Sequence, residues 1–349
     1  MRLKRTLPIL LAVVTIAAAL VLAVQLRKSA PPEAARILPG ADGFLYADYS
    51  WIRRANSGKP FYPVSRDPEY DKFIQETGFD FERDLDAVAF AIHYPKNWPG
   101  GGTGSAAPEP RFSEVINAHF DITKCSAYLK RVAQSVENYN SIDIYTIPLY
   151  GRTFRVAILG VDTVAASNHE DPAVIQGMVD RSRRLASPFG GPAFLRRYYK
   201  RVQLGSPVWF MARVDPAAPG FEGWSTALPK AADLVVSASY NPLHLPLRTG
   251  VLHVRAEAWA ANDDDARNIA DKLNVFLAMF HSAEASVGST GNDADVKSFF
   301  DSLQVRQVDN RAVLLAAIPT EVIRKLADSS GQIPFEAIPA SRPAQTPKH

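Results

Sequence analysis

Ile142–Leu159 (IDIYTIPLYGRTFRVAIL) and Val305–Ile318 (VRQVDNRAVLLAAI) are the two stretches whose reading decides the fold. In the first, Ile142–Ile147 and Phe154–Leu159 flank a turn at Tyr150-Gly151. In the second, Val305–Val308 faces Ala312–Ile318. Short β-prone runs on either side of turn residues spell a hairpin. Each hairpin is preceded by a helical pattern. Asp121 opens one, with Cys125, Leu129, Val132 and Val136 on a common face at about 3.6-residue spacing. Asp263–His281 is the other, with Ile269, Leu273, Phe276, Leu277 and Phe280 facing inward, followed by a helix over Asp293–Leu303. Further upstream stand two pairs of apolar strands. They are Ala87–Tyr94 (AVAFAIHY) with Phe112–Phe120, and Leu234–Tyr240 with Val251–Ala260.

The remaining elements complete a matching order. The strand Gly43–Tyr49 leads to a helix capped by Asp67 with Pro68 in its first turn and closed by Gly78. In the second half, a strand at Asp162–Ala166 leads to helices opening at Asp171-Pro172 and near Pro192, then to a strand at Val208–Val214. Both halves read strand, helices, strand, strand, helix, hairpin. The predicted fold is therefore α+β, with two ferredoxin-like (split βαβ) units in tandem, 41–160 and 161–329. The repeat lies in element order and caps, not in residue identity. A helix over Thr320–Ala327 closes the second unit, and a Pro-rich tail, 330–349, follows.

Leu7–Leu26 is apolar apart from Pro8, Thr15 and Gln25, the length a helix needs to span a hydrocarbon core. Arg2, Lys4 and Arg5 precede it, and Arg27 and Lys28 follow. With the free amino terminus, the balance places the N-terminal side in the cytoplasm. Residues 1–28 are expected to be a signal-anchor helix, 7–26 crossing the bilayer, and 29–40 a Pro/Ala linker (SAPPEAAR at Ser29–Arg36). The rival reading is a signal peptide cleaved after Ala17-Ala18-Ala19 or Val21-Leu22-Ala23. Either exports the rest. The expected location is a bacterial inner membrane, single-pass, with the C-terminal domain periplasmic or extracellular.

Composition restricts the chemistry. The chain has 349 residues, 47% hydrophobic and 21% charged, an ordinary globular balance. A formal net charge of +3 is too small to point to nucleic acid. Cys125 is the sole cysteine, which rules out an intrachain disulfide and a thiolate zinc site; it reads as a small buried residue on a helix. No nucleophile elbow, zincin helix or P-loop motif is present. Gly100–Gly104 lies in a Gly/Pro/Ser loop, Lys96–Pro110, with no helix behind it to cradle phosphate. Asp263-Asp264-Asp265 and His169-Glu170-Asp171 read as helix caps, and Asp80–Asp86 as a polar turn. His119 and His253 occupy equivalent strands and are the first candidates for a metal or hydrolytic site should the units bring them together. No catalytic, cofactor or metal residue is otherwise assigned, and no cofactor is expected.

The most unusual stretch carries seven cations in about twenty residues: Arg181, Arg183, Arg184, Arg196, Arg197, Lys200 and Arg201, interleaved with Tyr198 and Tyr199. Two solvated helix faces would account for it. The functional reading is a polyanion or partner surface on Arg183, Arg184, Arg196, Arg197, Lys200 and Arg201, its partner an envelope protein or an anionic lipid.

Three segments carry a likeness. They are Ile37-Leu38-Pro39 with the Phe44–Tyr49 strand, Asp67-Pro68 through Thr77-Gly78-Phe79-Asp80, and Asp84-Leu85-Asp86 leading into Ala87–Ile92. Val161-Asp162-Thr163-Val164, with the helix at Asp171, also fits. The chain resembles a group of uncharacterised bacterial membrane-anchored envelope proteins, a domain of unknown function with a duplicated α+β unit. The resemblance implies a non-enzymatic envelope protein and assigns no site. The expected function is thus a membrane-tethered binding or scaffolding protein. The alternatives are a periplasmic hydrolase or transferase and a lipid or solute carrier, the last requiring an apolar cavity.

Overall fold

The computed structural model describes residues 30–55, 68–94, 111–149, 152–184, 190–217, 228–241, 251–286, 294–319 and 322. The chain is α+β, and the strands among these residues form one twelve-stranded sheet. The strands are β1 (Gly43–Asp48), β2 (Leu85–His93), β3 (Arg111–Ala118), β4 (Ser135–Tyr139), β5 (Ile142–Leu149), β6 (Arg152–Ile158), β7 (Thr163–Ser167), β8 (Val208–Val214), β9 (Ala232–Asn241), β10 (Val251–Trp259), β11 (Gln304–Val308) and β12 (Arg311–Pro319). Their order across the sheet is β11-β12-β10-β9-β8-β1-β2-β3-β7-β6-β5-β4. Each of the eleven neighbouring pairs is antiparallel.

The helices are α1 (Glu33–Ile37), α2 (Tyr49–Ala55), α3 (Pro68–Thr77), α4 (Phe81–Asp84), α5 (Ile122–Val132), α6 (Ala173–Ser182), α7 (Ala193–Tyr199), α8 (Asp263–Ser286) and α9 (Ala294–Ser302). Local signals explain several boundaries. The Asp121 carboxylate accepts from Lys124 N at 3.0 Å and starts α5. Gly78, at φ +70°, ends α3 in the left-handed region where a side chain is costly. Asn262 accepts from Asp265 N at 2.8 Å and opens α8.

The centre of the sheet has a two-fold layout. β1 and β8 lie side by side and antiparallel, flanked by β2 and β9, then by β3 and β10. Beyond β3 the chain crosses α5 and returns through β4–β7, with β7 beside β3. Beyond β10 it crosses α8 and α9 and returns through β11 and β12, with β12 beside β10.

This layout corrects the ferredoxin-like expectation. A split βαβ unit places its third strand between the first and second. Here β1 bonds directly to β2 and β2 to β3, a meander. The reason is local. Asp48, at the end of β1, faces Ala87, at the start of β2, so the excursion through α2–α4 returns to the end of the sheet it left. The segment β10–α8–α9–β11 keeps a split crossover, with β12 inserted between β10 and β11. The sheet also runs unbroken through the expected join at 160/161, because β6 and β7 pair across it.

Strand alternation gives the sheet two faces. On one, Phe44, Tyr46, Ala89, Val115, Ala165, Trp209 and Met211 pack against helix residues Ile37, Met178, Val179 and Leu195, all buried. The Pro/Ala linker is corrected here. Ala34, Ala35, Ile37 and Leu38 are 0–2% exposed, so α1 belongs to the core. Gly191, at φ +99°, lets the chain pass α1 closely before α7: a Cβ there would sit 3.3 Å from Arg36 Cα. On the other face, Ala212, Leu234, Ala258 and Ala312 pack against Ala266, Ile269 and Ala270 of α8. Two helix expectations fail at their ends. Val136 leaves α5 for β4, where it is 47% exposed, and Phe276 of α8 is also 47% exposed. Cys125 is buried on α5 as expected.

Among the described residues no helix is long and apolar enough to cross a membrane. The expected span, the Lys96–Pro110 loop, the Asp67 cap, the Thr320–Ala327 helix except the buried, helical Val322, and the Pro-rich tail lie outside the described residues.

Candidate functional site: a basic cleft on the sheet

The floor of the site is one rung of the sheet. Arg213 on β8 faces Asp233 on β9, Asp233 faces Trp259 on β10, and Trp259 faces Arg311 on β12. Successive residues of a strand point to opposite faces, so a shared rung puts these four side chains on one face. That face also carries α7. Phe194, Leu195 and Tyr198 of α7 turn into the core, which leaves Arg196 and Arg197 exposed. After α7 the chain tightens into a turn, with Arg201 N donating to Tyr198 O at 2.8 Å, and Lys200 and Arg201 stand exposed at its tip.

Between α7 and the rung lies a cleft of about 730 Å³. Arg197, Lys200, Arg201 and Arg213 supply its cations, Asp215 and Asp233 its acids, and Tyr198 and Trp259 its aromatic surface. The Arg201 guanidinium lies 4.6 Å from the centroid of the Trp259 ring, and that of Arg311 lies 4.7 Å from it. Such contacts hold a guanidinium in place while its N–H groups stay available. Asp233 accepts a 2.5 Å hydrogen bond from the Tyr198 hydroxyl and lies 4.0 Å from Arg213 Nε. Burial, then that bond to Asp233, pushes the Tyr198 phenol up to about 12, so it remains a donor. Among the described residues, the fully buried Trp259 Nε1 and Arg311 Nε find no acceptor. A cleft that sets four cations against two acids suits an anionic, acceptor-rich ligand.

The structure thus gathers three residues of the anticipated surface, Arg197, Lys200 and Arg201, and parts them from the other three. Arg183 donates to Asn140 O at the β4–β5 turn, Arg184 lies beyond α6, and Arg196 is not part of the cleft lining. Sequence reasoning missed Arg213, Trp259 and Arg311. Their only signal was polar or amphipathic character at the ends of apolar strands.

His119 and His253 do not meet. β3 and β10 are five places apart in the sheet, about 24 Å at the usual inter-strand spacing. His119 lies 3.4 Å from Asp86, and His253 faces Ser239 and Ala317. A histidine–serine contact does occur elsewhere. His93 Nε2 is 3.1 Å from Ser113 Oγ, itself 2.9 Å from Ser167 Oγ. Ser113 is 0% exposed, so no substrate carbonyl can reach it. Burial, then the nearby His169, pushes His93 down to about 4, which keeps it neutral. Asp80 and Asp84 shape the α4 turn, and Asp86 pairs with Arg53 at 2.9 Å. Among the described residues no group of three His, Cys, Asp or Glu could hold a metal ion.

No family model and no curated protein matches the chain. Among solved structures it is similar to crystal form IV of TP0453, at 13% identity and a TM-score of 0.40, over 85% of this chain and 96% of that one. A score that low carries no argument about function or topology.

Proposed function

We propose that this chain is a membrane-tethered extracytoplasmic binding protein, non-enzymatic, that takes an anionic phosphate group in the cleft between α7 and the β8–β12 rung. The carrying observation is the convergence of Arg197, Lys200, Arg201 and Arg213 around Trp259. The tether rests on the Leu7–Leu26 run and the envelope setting on the family likeness. The two-fold layout about β1 and β8 supports an internal duplication of an α+β unit. The hydrolase reading finds no support in its first candidates, because His119 follows β3 and His253 lies on β10, five places away in the sheet.

The test is calorimetric titration of the full chain in a neutral detergent. One titrant is a water-soluble short-chain phosphatidylglycerol, the other inorganic phosphate. Binding of the lipid alone assigns the headgroup, and binding of both assigns the bare anion. Replacing Arg197, Lys200, Arg201 and Arg213 together by Ala should abolish binding, and salt should weaken it in the parent. Equal binding by the four-site variant sinks the proposal. A reporter fused behind His349 that is active only in the cytosol sinks the placement.

A further inference from the structure

The opposite face of the sheet holds a second cleft, of about 410 Å³, whose lining carries no Lys or Arg. Its lining includes Leu45, Phe90, Ile92, Phe112 and Phe154, with one ionisable group, Glu114. The sheet register explains this. A single rung runs Val236–Phe210–Leu45–Phe90–Glu114–Ala166–Val156–Tyr145 across eight strands. Glu114 is the only carboxylate in it. Its neighbours two residues away on β3, Phe112 and Ile116, share its face and are apolar too. Phe112 stays 39% exposed, so the cleft is open to solvent there.

A carboxylate in such a place normally finds a cation or a donor. Among the described residues Glu114 has neither. Burial raises its pKa, the mark of a charge lacking compensation. Half-buried in a rung of Leu, Phe, Ala and Val, Glu114 bears a desolvation cost that a Gln or Leu would not. A ligand that supplies the missing positive charge and covers the phenyl rings offsets that cost. The volume falls within the range of small-molecule sites.

The geometry points to a ligand site for an amphipathic cation, an apolar chain ending in a protonated amine, with the ammonium on Glu114 and the chain along Phe90, Phe112 and Phe154. This site is independent of the basic cleft, which lies on the other face and selects the opposite charge. Loss of one leaves the other intact.

The probe is octylamine, titrated by calorimetry into the full chain in phosphatidylcholine nanodiscs, with empty discs subtracting partition into lipid. Octanoate, with the same chain and the opposite charge, is the control. Octylamine should bind and octanoate should not. Glu114→Gln keeps the shape and removes the charge; it should weaken octylamine at least tenfold and narrow the gap to octanoate. Ala166→Phe, which adds a ring on the rung beside Glu114, should block octylamine whatever the charge; a parent-like melting curve shows that it folds. Replacing part of the phosphatidylcholine by phosphatidylethanolamine distinguishes the amine's source: competition assigns a lipid headgroup, and no competition a free amphiphile. Octylamine affinity unchanged in Glu114→Gln, octanoate binding as well as octylamine, or full binding by a folded Ala166→Phe overturns the proposal.

Discussion

Replacing Ile37 by Ala separates a core helix from a tether. Ile37 is 1% exposed and sits in the same cluster as Met178, Leu195 and Trp209. Its carbonyl also accepts from Arg181 Nε at 2.7 Å, which ties α1 to α6. The substitution removes three carbons. At about 0.8 kcal/mol per buried methylene the transfer loss alone is about 2.4 kcal/mol. The cavity left among rigid neighbours brings the expected cost to about 2–5 kcal/mol. For a chain of this size we take a urea slope of about 3 kcal/mol per molar, which places the midpoint about 1 M lower. Urea unfolding followed by tryptophan emission reads this directly, since Trp209 is buried in that cluster. An exposed tether residue would cost under about 0.5 kcal/mol. A midpoint within about 0.2 M of the parent's would therefore refute the placement of α1 in the core.

Other outcomes follow from the same geometry. His93 is held down to about 4, below its ordinary value of 6.5. The unfolded chain therefore binds a proton there before the folded one does, so stability is full above about 6.5 and falls as pH drops toward 4. His93→Gln should remove one proton's share of that slope, measured by urea midpoints across the window. Asp265 is 6% exposed, receives Lys230 Nζ at 2.7 Å and Asn262 Nδ2 at 3.0 Å, and lies in the first turn of α8. Asp265→Ala should lower stability by about 1–3 kcal/mol in chemical denaturation, and Asn262→Ala, which loses the cap, by about 1 kcal/mol. A smaller effect of Asp265→Ala than of Asn262→Ala would contradict the buried network.

Most strands were legible because period-two alternation and β-branched runs are local properties. Ala87–Tyr94, Val208–Val214, Val251–Ala260 and both hairpins emerge within a few residues of their predicted ends. Helix starts at Asp121 and Asp263 were legible because a cap is a bond between near neighbours. Ser29–Arg36 misled because a five-residue helix of small residues has no periodicity of its own, and only the sheet and α6 beneath it make it a core element. The basic cleft was half legible. Arg197, Lys200 and Arg201 cluster in sequence, but Arg213, Trp259 and Arg311 join them only through the register of four strands.

By itself, then, the sequence determined the alternation of strands and helices, the helix caps and the absence of any local catalytic motif. Each of these depends on residues a few places apart. Tertiary structure alone decided the order of the strands, the distance between His119 and His253, and the two opposed clefts. Those depend on which strands pair, and pairing is chosen by the burial of a whole sheet face, a sum over residues hundreds of positions apart that no local pattern encodes.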